Sequence, residues 1–188
     1  MRRRRCSDFC CFGFAVIALA VLLAAGPALA AGASKGQGGK VSAVPNTLLK
    51  GTARAVEGDV VSVNGTPVRL MGMDAPDPGQ MCKNRYGHEL DCFRIATAVL
   101  ASLIEGEEVE CTVADQDRQG RKEGECRVRG VDLGGAMVAR GWAFAYRSLT
   151  SVYQQNEAYA QSKRMGLWAG RVEKPWEWRS RKLREQAR

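Results

Sequence analysis

Three aspartates and two arginines stand at strand ends and bends of this chain. Asp59 follows Gly58, Arg69 lies within VRLMGM, Asp74 and Asp77 flank Ala75-Pro76, and Arg121 closes the DRQGR run at 117–121. Asp59 and Asp74 offer the hard carboxylate oxygens that calcium or magnesium takes. Arg69 and Arg121 can each present two parallel N–H donors to a phosphate, which lysine cannot do. Asp77 is placed to orient or deprotonate a water. Such a set can hold one divalent cation and grip one phosphate, which points to phosphodiester chemistry: a metal on the nonbridging oxygens, a positioned water, and cations on the crowded transition state. Each residue alone has an ordinary use, as a turn, a strand exit or a surface charge. Only the whole set points to a site.

The elements that would position it are short. Asn64-Gly65 between alternating apolar residues marks a hairpin of strands 60–63 and 68–73, after a strand at 51–56. An ideal hairpin centred there puts Asp59 across from Leu70, and leaves Asp74 about 13 Å further along at roughly 3.3 Å per residue. Curvature or a bulge must close that gap. Ala96, Val99, Leu100, Leu103 and Ile104 recur at helical spacing, giving a helix over 90–104. Strands at 109–114 and 123–129, a short helix at 133–140, a strand at 142–146 and a helix over 151–165 follow, the last capped by Gly166. This order implies a small closed sheet plugged by helices, not a sandwich or a parallel α/β sheet.

The chain has 188 residues and a net charge of +8, enough for one domain and a modest match to a polyanion. Residues 1–30 carry Arg2 to Arg5, an apolar run and Ala28-Leu29-Ala30, the parts of a secretory signal; the uncharged stretch 9–33 is also long enough to be a membrane anchor. Residues 31–47 read as a flexible linker, 48–170 as the folded domain, and 171–188 as a basic tail with Trp176 and Trp178. Such a tail suits a nucleic-acid backbone, an anionic membrane or a solvated helix. Beyond the leader, Cys82, Cys92, Cys111 and Cys126 make an even set without a CxxC pair and with His88 as the only histidine, so disulfides are favoured over zinc. Cys111 and Cys126 lie symmetrically about a turn near Arg118 and Gln119, which would pair them across a hairpin, and Cys82 with Cys92 would close a small loop.

From Gly51 to Trp168 the chain resembles the staphylococcal nuclease-like family. The resemblance rests on Gly58-Asp59, VRLxGxDAP at 68–76, DRxGR at 117–121, MVxxGxAxxY at 137–146 and GLW at 166–168, all in the family's order. It implies an α+β, mainly β fold: a five-stranded oligonucleotide-binding (OB-fold) barrel capped by about three α-helices. It also implies hydrolysis of DNA or RNA with one calcium ion by direct attack of water; the leader adds the expectation of an exported protein, periplasmic, secreted or membrane-anchored, and a monomer is expected. Asp59, Asp74 and the Ala75 backbone carbonyl match the calcium ligands, and Arg69 and Arg121 the phosphate-binding arginines. Asp77 stands where the family usually has a glutamate acting as general base, one methylene longer. Tyr146, with Arg118, matches the substrate contacts. Glu57, Val60 and Gln119 depart from the family pattern. The alternatives are a binding module for single strands that has lost efficient catalysis, and an envelope-anchored adaptor.

Overall fold

The computed structural model describes residues 46–117, 120–146 and 152–188. The leader and most of the linker lie outside them, as do Arg118, Gln119 and the start of the helix expected at 151.

Strands β1 (Thr47–Glu57), β2 (Val60–Val63) and β3 (Thr66–Leu70) form an antiparallel meander turning at Asn64-Gly65, where both residues take positive φ. After three short strands and a helix, β7 (Glu108–Gln116) pairs with β1, and β8 (Lys122–Val128) pairs with β7. β8 then runs parallel to β3, with Val68, Arg69 and Leu70 opposite Lys122, Glu123 and Gly124, which closes a five-stranded barrel. Alternation along the strands sends Val61, Val63, Val68, Leu70, Val109, Cys111, Val113 and Cys126 into one core. Helix α1 (Cys92–Ile104) plugs that core with Ala96, Leu100 and Ile104, after Asp91 caps its first turn by accepting from the Arg94 N–H at 3.0 Å. Helix α2 (Leu133–Ala139) follows the two-residue β9 (Val131–Asp132) and is capped by Asp132.

Several details differ from the sequence reading. The strand expected over 68–73 ends at Leu70; the chain bends at Met71-Gly72, with Gly72 at φ 80°, and β4 (Met73–Asp74) pairs with β10 (Phe144–Ala145) instead. The start of the helix expected from residue 90 is a strand. β5 (Met81–Lys83) and β6 (Glu89–Asp91) form a small hairpin, and Leu90 belongs to it. Helix α3 (Gln154–Ser162) is not capped by Gly166: Arg164 takes the left-handed position at φ 51°, its N–H donating to the Gln161 carbonyl and that of Met165 to Ala160. Gly166 opens a short 3-10 turn, Gly166–Ala169. The basic tail forms a fourth helix, α4 (Pro175–Gln186), packed on the body through buried Pro175 and half-buried Trp176.

Both disulfides form. Cys111 and Cys126 are direct partners in the β7–β8 register, and Cys82 joins β5 to Cys92 at the start of α1. No helix among the described residues is long and apolar enough to cross a membrane.

Candidate active site

Asp59 sits at the mouth of the β1–β2 turn, and its backbone carbonyl accepts from the Leu70 N–H at 2.8 Å, the expected pairing. The gap to Asp74 is closed by the bend at Met71-Gly72 and by close packing at Gly58. A Cβ on Gly58 would lie 2.8 Å from the Cβ atoms of both Ala75 and Ala96. Only glycine lets the turn approach the Asp74-Ala75 segment this closely.

Arg69 completes the bridge. Its Nε donates to Asp59 Oδ2 at 3.1 Å and its Nη2 to Asp74 Oδ1 at 3.0 Å. Both carboxylates are nearly out of water, at 6 % and 1 % exposure. Burial pushes the Asp59 carboxyl up to about 7, against Arg69 and with Asp74, Glu57 and Asp77 adding to the rise. Burial alone would lower the Arg69 pKa, but Asp59 and Asp74 more than restore it. Burial is thus the main cause of the rise at Asp59, and Arg69 is the strongest single charge acting against it.

Asp77 joins this group through a residue the sequence did not single out. Arg179 of α4 reaches in and donates from Nη1 to Asp77 Oδ2 at 2.7 Å and to Asp74 Oδ1 at 3.2 Å, and from Nη2 to Asp74 Oδ2 at 2.6 Å. Burial raises the Asp77 carboxyl, and Arg179 opposes that rise. Asp77 is also fixed from behind: its N–H donates to Gln80 Oε1 at 3.1 Å, while Gln80 Nε2 donates to the Glu173 carbonyl at 2.6 Å. The fully buried Gln80 therefore clasps the aspartate loop to the segment leading into α4. One signal for Arg179 was available: it lies three residues after Trp176, on the helix face that the tryptophan anchors.

Arg121 stands on the adjoining barrel wall and bonds to none of Asp59, Asp74 and Asp77. Its Nε donates to Asp117 Oδ2 at 2.6 Å, and its Nη1 lies 3.6 Å from Glu57 Oε2. Glu57, two residues from Asp59, links the two halves of the site. Glu123, opposite Arg69 in the β3–β8 register, is raised chiefly by burial and opposed by both Arg69 and Arg121. The five candidate groups therefore share one end of the barrel, with Asp59 and Asp74 bridged by Arg69, Asp77 joined to Asp74 through Arg179, and Arg121 attached through Glu57. Ala75 is buried between Asp74 and Pro76. Arg118 lies outside the described residues.

Tyr146 lines a cleft of about 440 Å³ with Trp168, Trp176, Lys174, Glu157 and Gln161. Its ring lies 5.5 Å from that of Trp176, and the Lys174 ammonium lies over the other aromatic at 5.4 Å. Trp142 and Trp168 are half-buried against the hydrophobic core. His88 is exposed and held by Asn84.

Residues 67–170 match the family model described as staphylococcal nuclease homologue. The chain belongs to this family. It is 35 % identical over 129 residues to the probable staphylococcal-like nuclease CAN1 of Oryza sativa subsp. japonica, covering 65 % of this chain and 35 % of that one. An uncharacterized endonuclease of Escherichia coli O157:H7 is 32 % identical over 139 residues, 69 % of this chain and 83 % of its own. The succinoglycan biosynthesis protein ExoI of Rhizobium meliloti is 29 % identical over 126 residues, 65 % and 66 % of the two chains. This staphylococcal nuclease homologue thus spans only about a third of the rice protein. Its match begins at Pro67, so Asp59 lies before the matched residues and α4 after them.

Proposed function

We propose that this chain is an exported, calcium-dependent nuclease that hydrolyses phosphodiester bonds of DNA or RNA. The observation that carries the reading is the buried Asp59–Arg69–Asp74 bridge with Asp77 held beside it. The family membership and the printed names of the rice and Escherichia coli relatives support it. The basic, apolar and small-residue leader supports export, as do two disulfides, which suit an oxidising compartment.

The donor set fits a hard cation. Two buried carboxylates meet at one guanidinium and offer the hard oxygen ligands such an ion takes. Among the described residues no three carboxylate, histidine or cysteine side chains converge as a metal site, so the remaining ligands would be the Ala75 carbonyl and water. Asp74 is engaged at both oxygens by Arg69 and Arg179, so a cation takes Asp74 only as Arg179 yields. When bound, calcium supplies charge neutralisation at the nonbridging phosphate oxygens.

The protein's own groups do the rest. Arg69 and Arg121 donate to phosphate oxygens and favour the more highly charged transition state. Asp77 accepts a proton from the attacking water, whose oxygen forms the new bond to phosphorus as the opposite P–O ester bond breaks. Tyr146 and Trp176 give the neighbouring nucleobase a stacking surface. The purified protein should cut a DNA duplex and a single strand with calcium and stop with chelator.

A second reading has its own observation. Asp77 is one methylene shorter than the family's glutamate and is pinned by Arg179 at 2.7 Å, which suits a module that binds single strands without cutting them efficiently. Asp77→Glu separates the two: a gain in cleavage supports the nuclease, and binding without cleavage in either form supports the module. The adaptor reading needs residues 9–33 retained in the membrane, which fractionation and the mass of the mature chain decide.

A further inference from the structure

Away from the carboxylates, the β5–β6 hairpin and the segment after α3 enclose a cleft of about 570 Å³ lined by Lys83, Asn84, Arg85, Tyr86, Arg164 and Arg171, with Gly87, Ala169 and Gly170 completing the wall. No acidic side chain lines it. Glu89 faces Lys83 in the β5–β6 register, yet none of the four cations makes an ion pair among the described residues. We infer that this cleft binds the phosphates of a nucleic-acid strand whose scissile bond lies at the aspartate site. The inference rests on the nuclease reading for its substrate.

Three features point to a built surface. First, the cations come from separate stretches that backbone bonds lock together: Lys83 N–H donates to the Arg171 carbonyl at 2.8 Å and Arg171 N–H to the Lys83 carbonyl at 2.9 Å. Second, the loop carrying Arg85 and Tyr86 is fixed from within. Asn84 Oδ1 accepts from the Tyr86 and His88 N–H groups at 2.9 and 3.0 Å, and the Cys82–Cys92 disulfide ties the hairpin to α1. Third, Arg164 occupies a left-handed position at φ 51° that glycine would adopt with less backbone strain, yet the position carries a cation that lines the cleft.

The chemistry of the cleft selects the ligand. Several fixed, unpaired cations favour successive phosphates over a single small anion. Tyr86, 75 % exposed with the Arg85 guanidinium 5.9 Å from its ring centre, adds a flat face for a base. Lys83 follows Asp77 by six residues, so at most about 20 Å of chain separates them. Gln80 binds Asp77 on one side and Glu173 on the other, joining the two surfaces through buried contacts. A strand of several nucleotides can therefore reach both, whereas a dinucleotide at the aspartates cannot.

The test compares the full-length protein with the Arg85→Gln, Arg164→Gln double variant and with Arg164→Gly. Fluorescence anisotropy in chelator reads the binding of a labelled single-stranded DNA of about 30 nucleotides, several of the usual site sizes, across a range of salt. At 0.1 M salt the double variant should bind about tenfold or more weakly, and its log–log salt slope should be shallower by about 1.4, at about 0.7 per lost phosphate contact. Arg164→Gly should show about half that change in slope. With calcium, hydrolysis of a dinucleotide should keep its kcat/KM in both variants. Unchanged long-strand affinity and slope in both variants would overturn the inference, as would unchanged strand binding with lost capture by phosphatidylglycerol vesicles, which would make the cleft a membrane contact. If no form of the protein cleaves any substrate and the variants still lose strand affinity, the cleft stands and the nuclease reading falls.

Discussion

Arg69 and Arg179 each hold two carboxylates, whereas Arg85, Arg164 and Arg171, joined to the same clasp, hold none among the described residues. In the first region Asp59 and Asp74 are buried and each arginine is bonded to two carboxylates, so the arginines fix where the aspartates stand. In the second they are exposed and unmatched, and the backbone around them supplies the rigidity. The contrast separates two uses of arginine: one sets the geometry of a reacting centre, and the other leaves charge free for a polyanion. The first should matter to folding and chemistry together, the second to affinity alone.

The largest effect should follow Arg69→Ala. It strands Asp59 and Asp74 without their shared partner, and breaking a buried pair of this kind costs about 3 kcal/mol or more. Urea unfolding should show that loss, and cleavage should fall on the order of a hundredfold or beyond. A stability change under about 1 kcal/mol would mean the bridge is not the structural keystone described here.

Next comes Gly58→Ala. The added methyl must displace Ala75 or Ala96, at a cost of about 1 to 3 kcal/mol, and moves Asp59 away from Asp74. Calorimetric calcium affinity should drop more than melting temperature suggests. Full affinity with reduced stability would separate the turn from the metal site.

Arg179→Gln sharpens the contrast from within the first region. Removing the charge costs stability by about 1 to 2 kcal/mol through lost charged hydrogen bonds, yet it frees Asp74 for a cation. Calcium binding measured directly should therefore tighten while the melting point without metal falls. Weaker calcium binding would show that Arg179 organises the ligands instead of competing for them.

The smallest effect belongs to the cationic cleft. Arg164→Gly should leave stability unchanged or raise it by about 0.5 to 1 kcal/mol by relieving the left-handed position. Loss of stability would give that arginine a structural contact not seen here.

What the sequence revealed follows distance along the chain. Asn64-Gly65, the Asp59–Leu70 pairing and the Cys111–Cys126 bridge all follow from short-range period and turn chemistry, and the family motifs carried the barrel. The bend at Met71-Gly72 was less legible, because an isolated glycine in an apolar run marks either a bulge or a corner. Arg179 was hidden among the arginines of a basic helix, 105 residues from Asp74; its spacing from Trp176 marks its helix face, but only tertiary packing shows which carboxylates it meets. Arg164 was overlooked for a related reason: Gly166 looked the better cap, and propensity gave way to the packing of the following turn.

The parallel seam between β3 and β8 joins only three residue pairs, against seven between β7 and β8, and its middle pair is Arg69 with Glu123. A ring with one narrow weld opens there first. On gentle heating the protein should therefore fall silent before its circular dichroism changes, and recover on cooling, because the arginine that gathers the aspartates rides on the part of the ring that parts most easily.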